Sequence, residues 1–198
     1  YYEGKLSPLE RLKAGITTGV SVLGSVPRSD DPIFAINHAK AYNELGVREV
    51  VCTGPCNPPW PHSFSRWVDG KRIEKEVTYE EVLKGAEAVI EALNHANDDR
   101  TRAFITPFVI VTSVDPSYPT SPDRLYGLTK HDLYQAKKIR EIARKYNTRI
   151  HSDAFGGMIH LAIQDKENAL LGPDVHLQHC RGISFDEAKI LAETGLIY

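Results

Sequence analysis

The feature that most constrains this chain is a change of hydrophobic period repeated along its 198 residues. Runs rich in β-branched residues alternate with segments whose apolar residues recur every three or four positions. Ile16–Leu23 reads as a strand. Asp31-Pro32 then supplies a helix N-cap and a proline in the first turn, with Ile33, Ile36, Ala39 and Ala41–Leu45 inward and Gly46 ending the helix. Val47–Thr53 is a second strand. The capping box Thr78-Tyr79-Glu80-Glu81 opens a helix carrying Val82, Ala86, Val89, Ile90 and Leu93 at helical spacing. Ala103–Val114, almost wholly apolar, suits a strand buried on both faces. Thr129 caps a further helix. Thr148–Asp153 is a short strand, with Gly156-Gly157 leading into Met158–Ile163. Asp174–His179 is the last strand, and Ser184-Phe185-Asp186-Glu187 is a second capping box, for a helix ending at Gly195. The proline-rich stretches Gly54–Lys75 and Asp115–Leu128 are expected to be irregular.

Five strand–helix units in series imply an α/β fold with a parallel sheet and right-handed crossovers. No G-x-G-x-x-G follows the first strand and no G-x-x-x-x-G-K-[ST] occurs, which weakens the nucleotide-binding doubly wound folds. Long loops after the second and third strands favour a (β/α)8 TIM barrel, whose active site is built from such loops.

A net charge of -2 marks no nucleic-acid or membrane-surface partner. No apolar run approaches the ~18–20 residues of a membrane helix. Tyr1–Lys5 has neither the basic nor the apolar region of a signal peptide, and it lacks an initiator Met. Three cysteines, Cys52, Cys56 and Cys180, make an odd and sparse set without zinc-finger spacing. They read as reduced thiols, and the expected compartment is the cytoplasm.

In a barrel, chemistry sits where strands end. His151 and His179 lie toward the ends of consecutive strands, where neutral imidazoles could converge on a divalent metal. His176, three residues before His179, is expected to point to the opposite face and pack against helices. His38 reads as a surface or interhelical residue, and His95 and His131 as helix-end residues. His160 reads as core or surface. Trp60, His62 and Trp67 could cover a site and touch substrate, and Arg28 could bind a substrate carboxylate. Asp115 and Tyr118 are open candidates at the same rim.

The wording around the histidines adds a resemblance. Gly172–Cys180 followed by Glu187 and Leu191-Ala192-Glu193-Thr194-Gly195 resembles the sixth unit of the amidohydrolase superfamily. Ile150-His151-Ser152-Asp153 with Gly156-Gly157 resembles its fifth-strand motif, and Ala14–Gly19 its strand-two phrase. The nearest branch is that of cytosine deaminase, imidazolonepropionase and the triazine hydrolases. The resemblance implies a divalent metal, zinc first and iron second, that activates water against a carbon–nitrogen bond of a small molecule, in a cyclic amide or a deamination substrate. It implies His151 as a ligand and His179 as a ligand or a donor to substrate. The proton-transferring Glu expected three residues after the fifth-strand His is replaced here by Ala154, which moves that role to Asp153. The family's His-x-His and final Asp motifs do not occur. The chain therefore reads as a single barrel domain, units two to six of eight, incomplete at both ends, inactive alone and a homo-oligomer when complete. A non-catalytic barrel scaffold and a metal-assisted decarboxylase are the alternatives.

Overall fold

The computed structural model describes residues 2–23, 30–118 and 125–196, and the chain divides into two compact units, Tyr1–Thr106 and Pro107–Tyr198.

The first unit opens with helix α1 (Tyr2–Lys13), followed by β1 (Thr18–Val22), α2 (Ile33–Glu44) and β2 (Arg48–Thr53). A hairpin comes next, β3 (His62–Val68) and β4 (Lys71–Val77). Helix α3 (Tyr79–Leu93), a short turn α4 (Ala96–Asp99) and β5 (Thr101–Ile105) complete the unit. β1, β2 and β5 are parallel, with Val20 opposite Val50 and Val51 opposite Ala103. Val51, Cys52, Ala103 and Ile105 are sealed from solvent, as a strand covered on both faces requires. Tyr42, Ala86 and Ile90 bring the helices onto them. The Thr78 capping box forms as its sequence predicts, and Asp31 Oδ1 accepts the Ile33 amide at 3.0 Å at the head of α2.

The second unit holds β6 (Ser113–Val114), β7 (Leu125–Tyr126), α5 (Lys130–Lys145), β8 (Ile150–Phe155), α6 (Ile159–Ala162), β9 (Val175–Arg181) and α7 (Phe185–Thr194). β8 and β9 pair in parallel, with Ile150 opposite Val175. Ile139, Ile150, Ile159, Leu170, Leu177 and Leu191 form its core. Asp132, the third residue of α5, is buried and fully used. Its carboxylate accepts from Thr112 N and Oγ1, from Ser113 Oγ and from Thr129. It thereby ties the chain before β6 to the head of α5.

Two expectations need correction. Gly54–Lys75 is not irregular throughout: β3 and β4 form a seven-pair antiparallel ladder within and just beyond it. The prolines at 55, 58, 59 and 61 all precede the ladder, so none removes a hydrogen bond from it. Asp69 and Gly70 take φ of 49° and 73°, the two-residue turn that suits the right-handed twist of a hairpin. Ala103–Val114, in turn, is not one strand. β5 ends at Ile105 and Pro107 interrupts the run, since proline has no N–H for a ladder. Val109 then makes a single bridge to Asp153, and β6 begins at Ser113.

No helix among the described residues is long and apolar enough to cross a membrane.

Candidate metal centre

β8 carries His151 and Asp153 on one face, since side chains alternate along a strand. The partner strand places His176 opposite His151 and Gln178 opposite Asp153. His151 is fully buried. Its Nδ1 lies 2.7 Å from His176 Nδ1, and the rings stack with centroids 4.8 Å apart. Burial, and then the neighbouring His176, push the His151 pKa down to about 4, so the ring is neutral at pH 7. His176 is also lowered, by burial and by the positive charge of Arg149. The Gln178 side chain slightly opposes the shift at His151, yet His151 Nε2 is buried with no hydrogen-bond partner.

Asp153 is largely buried, and Gln178 donates its amide to Oδ1. His179 approaches from the other side, with Nε2 at 3.5 Å from Oδ2 and the side chain 53% exposed. Its ring stacks on Phe155 at 5.5 Å. This approach depends on an irregularity in β9. Ala154 pairs with His179 but Phe155 pairs with Arg181, so Cys180 is an extra residue. His179 and Cys180 have φ of 66° and 43°, left-handed values uncommon outside glycine, and a bulge of this kind re-aims a side chain.

The positions differ from the sequence-based expectation in two respects. His151 is the second residue of β8, and His179 lies within β9, so neither ends its strand. Pairing simply continues past both, to Phe155 and Arg181. His176 does not pack against helices, because strand register sets it against His151, and the bulge rather than alternation determines where His179 points.

Gln178 and His176 are the residues that sequence reasoning missed. Their signal was the pairing of two parallel strands that each place a polar residue at every second position.

His151 offers a buried imidazole nitrogen without a partner, and His179 Nε2 lies 3.5 Å from Asp153 Oδ2; imidazole and carboxylate are the kinds of donor a divalent cation takes. Among the described residues, no three His, Cys, Asp or Glu side chains assemble into a complete cation cage.

No protein-family model and no curated protein sequence matches the chain. Solved structures do. A triazine hydrolase variant superposes with a TM-score of 0.64 at 15% identity, over 98% of this chain and 40% of its own. An atrazine chlorohydrolase from Arthrobacter aurescens TC1, complexed with zinc and atraton, gives 0.60 at 14% over 98% and 40%. An amidohydrolase from an environmental sample of the Sargasso Sea gives 0.58 at 17% over 98% and 41%. The chain has the fold of part of a (β/α)8 TIM barrel, as these structures do. It spans about 40% of the length of the structures it matches.

The other candidates make contacts of their own. Trp60 stands edge-on to His62 at 4.3 Å and to Tyr79 at 5.4 Å, packed on Phe64, Val77 and Val82. His62 Nε2 lies 2.7 Å from the Asn57 carbonyl oxygen. Trp67 is 74% exposed on the hairpin, across from Arg72, so the structure joins Trp60 to His62 but not to Trp67. Arg28 lies outside the described residues. Asp115 accepts from Ser117 N and Oγ, which hold its carboxyl below the usual range. Tyr118 donates to Glu187, a buried carboxylate that also accepts the amides of Gly157 and Ile159. These are loop-fixing roles. His38 contacts buried Glu49 at 3.1 Å.

Proposed function

We propose that this chain carries the β8–β9 part of the active site of a metal-dependent hydrolase that acts on a carbon–nitrogen bond of a small molecule, and that it is the central portion of a longer barrel. The observation that carries the reading is the buried, neutral His151 with an unused Nε2, on the strand that also carries Asp153, whose carboxylate meets His179 of the adjoining strand. The likeness to zinc-complexed and amidohydrolase structures supports it.

His151 would hold the cation through Nε2, and His179 would be a second donor or a hydrogen-bond donor to substrate. A divalent cation, zinc before iron, supplies Lewis-acid activation of water near neutral pH when bound. Asp153 would hold and return a proton at its carboxylate during cleavage of the carbon–nitrogen bond. Gln178 orients it, because an amide donor to Oδ1 leaves Oδ2 as the accepting oxygen. Ala154, fully buried and paired with His179, has no acid to compete for this role.

Metal content and turnover of the complete polypeptide test this reading. Zinc or iron should copurify with the wild type and be lost in His151→Ala. Asp153→Asn should keep metal and lose hydrolysis. A carbon–nitrogen bond of the substrate should be cleaved with no release of carbon dioxide. If His151→Ala and His179→Ala both keep metal and normal turnover, the reading fails.

A further inference from the structure

The His151–His176 contact carries a consequence of its own. Two Nδ1 atoms at 2.7 Å can share only one proton between them: one ring donates and the other accepts. Two arrangements satisfy this. If His176 donates, His151 carries its proton on Nε2, and that N–H is a buried donor that makes no hydrogen bond in the structure. If His151 donates, its Nε2 presents a bare lone pair, which is the one form of the buried ring that a cation can use. His176 is partly exposed, so water can complete its second nitrogen in either arrangement.

We propose that His176 is a positioning residue that accepts the His151 Nδ1 proton and so fixes His151 in the tautomer whose Nε2 is free for a cation. The proposal rests on the metal site proposed above. It follows the general rule that a ligating imidazole gives its other N–H to an acceptor, which sets both ring orientation and basicity. Here that acceptor is an imidazole supplied by strand register, where a carboxylate or a backbone carbonyl is the more usual choice. The ring stack and the 2.7 Å contact act together: the stack sets the plane and the hydrogen bond sets the rotation within it. The competing arrangement is also defined. Gln178 flanks the same ring, and its amide oxygen is the acceptor that a Nε2–H tautomer would turn to.

The experiment combines two readouts on the complete polypeptide and its variants His176→Gln and His176→Phe. Long-range proton–nitrogen correlation spectra of histidine-labelled protein report which His151 nitrogen carries the proton. Wild type should show a protonated Nδ1 and a bare Nε2. The phenylalanine variant keeps the stack but removes the acceptor, and His151 should shift toward Nε2–H. The glutamine variant restores an acceptor oxygen and should return the wild-type pattern. The second readout is zinc affinity by competition with a chromophoric chelator. His176→Phe should bind about 10–100-fold more weakly, and His176→Gln within a few-fold of wild type. A wild-type His151 protonated on Nε2, or equal zinc affinities in all three proteins, overturns the proposal. If wild type takes up no zinc, the metal reading fails, and the spectra alone decide this inference. A tautomer that changes in the phenylalanine variant supports it, and one that does not change overturns it.

Discussion

Glu49 in the first unit and His151 in the second are both polar groups withdrawn from water on a parallel strand, and their surroundings treat them oppositely. Both oxygens of Glu49 are occupied, Oε1 by His38 Nε2 at 3.1 Å and Oε2 by Arg11 at 3.4 Å. His151 uses one ring nitrogen and leaves the other without a partner. A buried polar group that is fully partnered holds a fold together. One left incomplete costs stability and persists where something outside the protein completes it. The difference is what makes His151, and not Glu49, a candidate ligand.

That contrast can be broken by substitution. Glu49→Leu should be the most damaging change, lowering unfolding free energy by about 3 kcal/mol, because it leaves Arg11 and His38 facing an apolar group. Urea denaturation measures it, and a loss below about 0.5 kcal/mol would remove one side of the comparison.

Asp132 is a saturated group inside the second unit and sharpens the point. Burial alone would raise its pKa, but donors from Ser113, Thr112 and Thr129 overcome this and hold it below the ordinary 3.8. A depressed folded pKa stabilises the protein above the unfolded value, and that stability drains away as pH falls through the folded value. Asp132→Asn should therefore cost about 1–3 kcal/mol at neutral pH, with the gap to wild type closing below pH 3.8. Denaturation curves collected down the acid limb would show whether it closes.

The smallest effect on stability is expected at His151. His151→Leu replaces a half-satisfied ring by an apolar side chain of similar bulk. The metal-free protein should change by less than about 1 kcal/mol, toward greater stability if at all, while metal uptake is lost. A destabilisation as large as that of Glu49→Leu would show that His151 is structural after all.

Much of this was legible in the sequence. The β-branched runs in β2 and β8 marked strands, and Thr78, Thr129 and Ser184 marked the heads of three helices, each of which forms its capping box. His151, Asp153 and His179 were found because their residue types are unusual beside buried strands. What escaped notice had physical causes. The four prolines before β3 outweighed the Asp69-Gly70 turn that follows them, although only the turn lies within the ladder. The roles of His176 and Gln178 depend on strand register, which one strand read alone does not contain. The contact between His179 and Asp153 depends on a bulge, and nothing in Gln178-His179-Cys180 announces a left-handed backbone.

The extra residue at Cys180 also inverts the parity of β9. Before it, even-numbered residues share the face of His151 and Asp153; after it, Arg181, opposite Phe155, takes that face instead. The strand thus has two reading frames, joined at the residue that follows His179. A one-residue deletion at Cys180 would leave the core half of β9 untouched and keep Arg181 opposite Phe155, but it would remove the irregularity that sets His179 toward Asp153. Length at this single position, rather than residue identity, therefore decides where His179 points.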